Sequence, residues 1–154
     1  MQNSVKTVTL TPVITAGAYS AGDVVGPQLE FPLADPAPAG VNPASGFVRV
    51  VTISDDDAEK AALELHLFRE APTVIADNAA FAPTFADLKK RIGSVVIAAG
   101  DYVTINSNAQ AVKSGIEMEF YAPNGVLYGY LVATGTPTYT ATSDLAIALT
   151  AYLV

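Results

Sequence analysis

The chain has 154 residues, a net charge of −7 and no cysteine, so it is expected to repel nucleic-acid phosphates and anionic membranes and to form neither disulfides nor cysteine-based zinc sites. Every apolar run is interrupted before it reaches the length of a membrane span. With 51% apolar and 15% charged residues, residues 1–154 are expected to fold as a single domain.

Strand signals recur along the whole chain as short runs rich in Val, Ile, Thr, Tyr and Phe, separated by Gly, Pro, Asn and Asp. Residues 1–4, before the first run, are expected to form a short extended arm that can add to a neighbouring sheet. Many short strands at this spacing predict an all-β domain, either a β-sandwich or a jelly roll. The predicted strands cover residues 6–13, 23–31, 46–54, 62–68, 93–98, 102–106, 116–121, 126–134 and 144–153.

Residues 32–45 are predicted to be a long surface loop. They include Pro32, Pro36, Pro38 and Pro43, and proline cannot donate to a sheet ladder. Loops of this length without structure are usually functional or disordered. The segment is therefore either a contact arm or a mobile hairpin tip.

Alternation predicts which way the side chains of residues 46–53 point. Phe47 and, within the run from Val51 to Ile53, the residues on either side of Thr52 are expected to face the core. Arg49 and Thr52 are expected to face outward. One face of this strand is thus expected to be exposed to solvent.

Residues 62–68 alternate more regularly. Three leucines lie at alternate positions and are expected to face the core, which leaves Glu64, His66 and Phe68 on the other side. The only histidine is therefore predicted to point away from the main core.

One short helical connector is predicted near residues 84–91. Thr84 is placed to cap it, and Leu88 is placed to pack inward. Its length allows only one or two turns.

The sequence Asn124-Gly125 lies between two strand patterns. Asn-Gly tolerates the positive φ angles of a type I′ turn. A hairpin joining residues 116–121 to residues 126–132 is therefore expected.

His66 is the first candidate for catalysis. A hydrolytic triad needs a base beside a nucleophile, and this histidine has no neighbouring motif, although Glu64 on the same face allows a pH-sensitive contact. A lone histidine on a strand is far more often structural, so the chain is predicted not to be an enzyme.

Two carboxylates, Glu117 and Glu119, share a strand face and are the nearest match to a glycosidase pair, with Glu30 and Glu70 elsewhere. Spacing of this kind is weak evidence. Sugar-processing clefts usually need aromatic platforms, and the chain has no tryptophan. No catalytic residue is therefore assigned.

The acidic run Asp55-Asp56-Asp57, followed by Glu59, is the most charged stretch and offers oxygen ligands of the kind that calcium prefers. It lacks the spacing of an EF-hand loop. Aspartate is also a favoured turn residue, so a solvated turn after a strand is the preferred interpretation, and no metal site is predicted.

Glycines at Gly17, Gly22 and Gly26 do not form a dinucleotide-binding fingerprint, and no Walker motif is present. No cofactor is therefore expected. Residues 89–91, Lys-Lys-Arg, form the only basic cluster. Three charges on a short connector are normally a solvated surface, with docking of an acidic partner as the alternative.

Five stretches that span most of the chain share one further feature, a likeness to a known protein family. They are AYSAGDVVG at 18–26, VTISDDD at 51–57, DNAAFAPTFAD at 77–87, LYGYLVATGTPTY at 127–139 and SDLAIAL at 143–149. These stretches resemble the auxiliary capsid proteins of tailed bacteriophages, known as decoration or cement proteins, and similar β-rich segments also occur in tail and baseplate proteins.

The resemblance implies a β-sandwich or jelly-roll body that assembles as a homotrimer at capsid symmetry axes and contacts the major capsid protein. It also implies localisation on the capsid surface of a virion made in the cytoplasm of a bacterial host. No binding residue is carried over from the family. The expected function is thus a noncatalytic virion structural protein that bridges capsid subunits, and the alternative is a tail or receptor-binding module that presents loops to a host-surface ligand.

Overall fold

The computed structural model describes residues 3–35 and 42–154, and it contains two antiparallel sheets that pack face to face. This architecture confirms the predicted all-β sandwich. The strands of the described residues are β1 Ser4–Leu10, β2 Leu29–Pro32, β3 Ala44–Asp55, β4 Leu63–Phe68, β5 Arg91–Ile97, β6 Tyr102–Ile105, β7 Asn108–Lys113, β8 Met118–Ala122, β9 Val126–Ala133 and β10 Leu145–Leu153.

The larger sheet has six strands. Its order is β1-β10-β3-β7-β6, and β8 pairs with the first half of β3 while β7 pairs with the second half. The smaller sheet has four strands in the order β2-β9-β4-β5. The first and last strands of the chain are therefore neighbours in the larger sheet, and β1 lies at its edge.

The main core fills the space between the sheets. In β4, Leu63, Leu65 and Leu67 are fully buried, as the alternation predicts. In β10, Leu145, Ile147, Leu149 and Ala151 face the same core. Burial of one such leucine or isoleucine contributes about 1.5–3 kcal/mol, which makes this interior the main source of stability.

The predicted helical connector is present but shorter than predicted. Helix α1 covers Phe85–Leu88, and Thr84 caps it in a capping box with Asp87. A 3-10 turn, Ala99–Asp101, precedes β6. Leu88 is 48% exposed, so the expectation that it packs inward is wrong, because the helix ends one turn after it begins and lies on the surface.

The predicted hairpin between residues 116–121 and 126–132 is wrong. Strand β8 pairs with β3 in the larger sheet, whereas β9 pairs with β2 and β4 in the smaller one. The N–H of Gly125 donates to the carbonyl of Ala122 (3.0 Å) in the turn that joins them. Pro123 and Gly125 take the positions that a type I turn favours, and turns of this type splay the flanking strands.

A bulge in β3 explains why Phe47 faces outward and not toward the core. The register between β3 and β10 shifts so that Thr150 pairs with Val50 and Ala151 pairs with Val48, which leaves Arg49 as the extra residue. A bulge reverses the facing of every residue beyond it. Val48 is therefore buried, and Phe47 lies on the outer face.

The remaining differences from the predicted strands are local. Strand β7 was missed, and residues 23–31 contribute only isolated bridges before β2 begins at Leu29. Strand β1 ends at Leu10. Ser4 belongs to β1 and not to the predicted arm 1–4, whose residues 1–2 lie outside the described residues. Residues 36–41 of the predicted loop 32–45 also lie outside them.

Candidate interaction surface

The outer face of the six-stranded sheet is a broad surface without a covering segment among the described residues. Its side chains alternate with the core residues of β1, β3, β6, β7 and β10. We call the part of this surface outside β8 the bare face, because β8 adds the charged side chain of Glu119 beside Phe47. The bare face consists of Val5, Thr7, Thr9, Phe47, Val50, Thr52, Ser54, Val103, Ile105, Asn108, Gln110, Val112, Ala146, Ala148, Thr150 and Tyr152.

The strand register arranges small side chains in rows across the middle of the bare face. Thr9, Ala148, Thr52 and Val112 are consecutive cross-strand neighbours. The hydroxyls of Thr7 and Thr150 lie 2.8 Å apart in the adjacent row. Because these side chains are short, the centre of the face is flat at the level of the β-carbons.

Some polar side chains of the face hydrogen-bond to each other. The amide of Gln110 donates to the hydroxyl of Ser54 (3.1 Å). Larger side chains lie toward the ends, with Phe47 beside Tyr152 at one end and Val103 at the other. Polar groups that are already paired, next to exposed apolar ones, suit a surface that loses water on contact.

No residue of the bare face is charged, and several of its aliphatic side chains are strongly exposed. Val5 is 68% exposed, Val103 62% and Val112 53%. Protein surfaces normally carry about 25–35% charged residues, and the cores of protein interfaces are depleted of charge. This composition is therefore typical of a contact surface.

Charges begin at one corner, where β8 joins β3. Arg49 donates to Glu117 at 2.6 Å and lies over the ring of Phe47, 5.6 Å from its centroid. Glu119 is the cross-strand partner of Phe47. This corner borders the bare face as a polar rim does in an interface.

The outer face of the four-stranded sheet is different, because a second apolar cluster covers it. Val24, Phe68, Tyr130 and Val132 are buried there. The segment at residues 69–84, which we call the cover, contributes partly buried apolar side chains to this cluster. One side of the sandwich thus has its own small core, and the other side has none.

Tyr130 anchors the cover through its hydroxyl. The hydroxyl donates to the carbonyl of Thr73 (2.9 Å) and accepts from the N–H of Ile75 (2.9 Å) and the amide of Gln28 (3.1 Å). Phe81 packs 5.8 Å from the Tyr130 ring, centroid to centroid. The cover is therefore a fixed layer on this sheet.

Two carboxylates hold the cover in place, Asp77 at its middle and Asp87 just after its last residue. Asp77 accepts from the hydroxyls of Thr15 (2.6 Å) and Tyr19 (2.7 Å), and burial together with this contact raises the pKa of Tyr19 to about 12. Asp87 accepts from the N–H groups of Thr73 (2.9 Å) and Thr84 (3.0 Å). These bonds lower the pKa of Asp87 to about 2.

His66 lies under the cover, away from the main core as predicted. Its ring is 4.5 Å from that of Phe81, and its Nδ1 accepts from Nε of Arg91 at 3.2 Å. Glu64 lies 3.6 Å from Nε2 and accepts from the hydroxyl of Ser94. Burial is the main reason that the pKa of His66 is below its usual value. This environment assigns the imidazole a packing role.

The acidic run divides into residues with different roles. Asp55 is 1% exposed, so the expected solvated turn is wrong for this residue. Its carboxylate accepts from the N–H groups of Asp57 (3.0 Å) and Lys60 (2.9 Å), and burial raises its pKa. Ala58 and Lys60 have φ angles of 50° and 54°, a left-handed geometry that these bonds support.

The oxygen-rich end near this turn is organised by backbone donors. Asp144 accepts from the N–H of Ala141 (2.8 Å), and Glu59 accepts from that of Thr138 (3.0 Å). Among the residues that the structure describes, no group of three or more His, Cys, Asp or Glu side chains is placed to hold a metal ion. The acidic run therefore acts as a set of loop caps.

The structure places the predicted carboxylate pair, Glu117 and Glu119, apart from the other two candidate carboxylates, Glu30 and Glu70. Glu117 binds Arg49, as described above, and Glu119 is its neighbour but one at the start of β8. Glu30 lies in β2 of the other sheet, and Glu70 lies 3.8 Å from Arg69 after β4. These carboxylates do not share a cleft.

The three basic residues at 89–91 point to different partners. Lys89 lies over the ring of Phe85, 4.9 Å from its centroid, and Lys90 donates to the carbonyl of Ala71 (2.9 Å). Arg91 contacts His66 under the cover. They do not form a common basic patch.

A cavity of about 370 Å³ opens on the bare face itself, where it is lined by Ser54, Gln110 and Ala146 together with Asp56. Another, of about 500 Å³, is lined by residues that include Leu10 and Pro12 near β1 and Leu29 of β2.

No protein-family model matches the sequence, and no curated protein matches it significantly. No helix in the described part of the chain has the length and apolar character needed to cross a bilayer. The bare face is the feature that sequence reasoning missed. Its only signal is that the outward positions of the predicted strands at 6–13 and 144–153 carry Thr, Ala and Tyr in place of charges.

Proposed function

We propose that the chain is a noncatalytic virion structural protein, a decoration protein that binds the major capsid protein and stabilises the capsid lattice of a tailed bacteriophage. The observation that supports this proposal best is the difference between the two sides of the sandwich. One side is partly covered by residues 69–84, which leave Val96 at its edge 57% exposed, and the other presents the uncharged bare face. A surface of this kind fits a permanent assembly contact better than a site that binds and releases a ligand.

Strand β1 adds a second means of assembly. It pairs with β10 on one side only and forms an edge of the larger sheet. An edge strand offers backbone donors and acceptors to a neighbouring chain. Lys6 partly protects this edge, because its Nζ donates to the carbonyl of Ala34 (3.3 Å) and lies 3.6 Å from Asp35.

The noncatalytic part of the proposal is supported by what the candidate groups do. His66 packs under Phe81 and accepts from Arg91. Asp55 accepts backbone N–H groups in its own turn. Because these groups already have structural partners, the proposal gives them no reaction to carry out. The resemblance also implies a homotrimer at capsid symmetry axes, and this part of the proposal concerns the chain bound to the capsid and not the free chain in solution.

Co-sedimentation with capsids tests this function. Purified chain is titrated onto capsids of the phage that encodes it, with bare capsids and an unrelated acidic β-sandwich as controls. We expect saturable binding and a higher capsid melting temperature. Failure to bind would overturn the capsid role, and adsorption to host cells instead would favour the tail or receptor-binding alternative.

A further inference from the structure

We propose that the occupant of the bare face is a second copy of this chain, packed sheet against sheet. This inference rests on the proposed assembly function and names the partner of the same surface. The edge strands and loops are thereby left for other partners.

Charge is the first argument for a second copy. The chain carries a net charge of −7, so two copies repel each other, and contact through an uncharged face adds the least local repulsion to this. The bare face is such a face, since Thr52 and its neighbours Ala148 and Val112 are neutral. A partner recruited by its positive charge would instead bind acidic positions elsewhere, such as Glu30 or Glu59, which are exposed.

Size is the second argument. Five strands spaced about 4.8 Å apart and about seven residues long, at about 3.4 Å per residue, give a face of about 24 by 24 Å. Two such faces bury on the order of 1,200 Å² in total, at the lower bound of specific, stable interfaces. The bare face alone is therefore large enough to hold two copies together, without a contribution from other parts of the described chain.

The distribution of large and small side chains over the face also suits contact between two copies. Along β3 and β10, Phe47 and Tyr152 project at one end of the two strands, whereas Ser54 and Ala146 at the other end are small. A twofold axis across the strands sets the aromatic end of one copy against the small end of the other. The same surface then serves both copies, as an isologous contact requires.

Light scattering coupled to size exclusion tests the inference over a concentration series. The wild-type chain is expected to have the mass of two copies, twice 15.9 kDa, as a twofold contact requires. Thr52→Lys, at the centre of the face, is expected to reduce that mass to 15.9 kDa, because two buried ammonium groups would face each other without partners. Thr134→Lys is the matched control, since Thr134 is exposed and lies after β9, and it should keep the wild-type mass.

Mixing provides a second readout that a folding defect cannot imitate. Thr52→Lys and Thr52→Glu are each expected to be monomeric, and their mixture is expected to regain the oligomer because opposite charges meet. Circular dichroism confirms that each variant is folded, and Ala148→Lys repeats the test at a neighbouring position.

A monomeric wild-type chain would overturn the inference, and so would a Thr52→Lys chain that stays oligomeric or a Thr134→Lys chain that becomes monomeric. These results are independent of the capsid experiment. A chain that self-associates through the bare face and does not bind capsids refutes only the proposed function. A chain that binds capsids as a monomer refutes only the inference.

Discussion

The hydroxyl of Tyr130 makes three hydrogen bonds at the cover. In Tyr130→Phe, the N–H of Ile75 loses its acceptor and the carbonyl of Thr73 loses its donor, while the amide of Gln28 keeps the carbonyl of Pro72. Leaving buried polar groups unpaired costs about 2 kcal/mol in the free energy of unfolding. Urea denaturation measures this loss.

Tyr121→Phe is the matched control for that substitution. Tyr121 lies in β8 and is 57% exposed, so its removal is expected to change stability by less than about 0.5 kcal/mol. Equal effects of the two substitutions would contradict the anchoring role of Tyr130.

His66 should make stability depend on pH just below neutrality. Its pKa is lowered in the folded chain, chiefly by burial, while Arg91 lowers it and Glu64 raises it. The unfolded chain therefore binds the proton more readily, so stability is complete above the unfolded value of about 6.5 and is lost as the pH falls below it. Protonation would also break the bond from Arg91 to Nδ1.

His66→Gln tests this dependence, because His66 is the only histidine in the chain. Melting temperatures of both proteins are compared from pH 8 to pH 5. The wild type is expected to lose more stability than the variant below about pH 6.5, and both should run parallel above it. Asp55, whose pKa is raised by burial, is common to both proteins. Parallel curves over the whole range would show that His66 does not titrate.

At the scale of the element, the β6–β7 hairpin has a strained turn. Asn106 and Ser107 have φ angles of 49° and 70°, as a two-residue type I′ turn requires. Asn tolerates this region, but serine does so at a cost of about 1 kcal/mol. Ser107→Gly is therefore expected to stabilise the chain by about 1 kcal/mol, measured by chemical denaturation.

Ser114→Gly is the control for the turn. Ser114 lies after β7 and is not among the residues with positive φ. Glycine there relieves no strain and adds freedom to the unfolded chain, so a loss of up to about 1 kcal/mol is expected. A gain at both positions would show that strain in the turn is not the cause.

Elements with their own local signal could be predicted from the sequence. The three leucines of β4 and the cap at Thr84 belong to this group, because alternation and capping depend on near neighbours. The outward position of Phe47 could not be predicted, since the bulge at Arg49 depends on pairing with β10, about a hundred residues later. The turn before β9 was misread because Pro123 decides its type.

At the scale of the whole molecule, the strand pairs join distant parts of the chain. Strand β1 pairs with β10, and β2 pairs with β9. Loops of this length must close before their contacts contribute, so the main folding phase is expected in milliseconds to seconds. Tyrosine fluorescence after a double jump, which removes proline phases, measures it, and folding in microseconds would contradict this topology.

The bare face is also a property of the whole molecule. Its central row draws Thr9, Thr52, Val112 and Ala148 from four separate strands. Each strand, taken alone, has one face exposed to solvent, as most strands of antiparallel sheets do. Only the order of the strands makes these neutral positions continuous, and that order cannot be read from the local pattern of any one strand.

The pairing of Ser4 with Leu153 places the residues before β1 and after β10 at the same corner of the larger sheet. A short peptide would connect them and close the chain into a circle. New ends cut at Asn106 and Ser107 would then give a circular permutant with every strand pair intact. A fluorescent label attached at Ser4 would lie beside Leu153 at this corner, so quenching or protection of the label would report whether the corner is free or covered in an assembly.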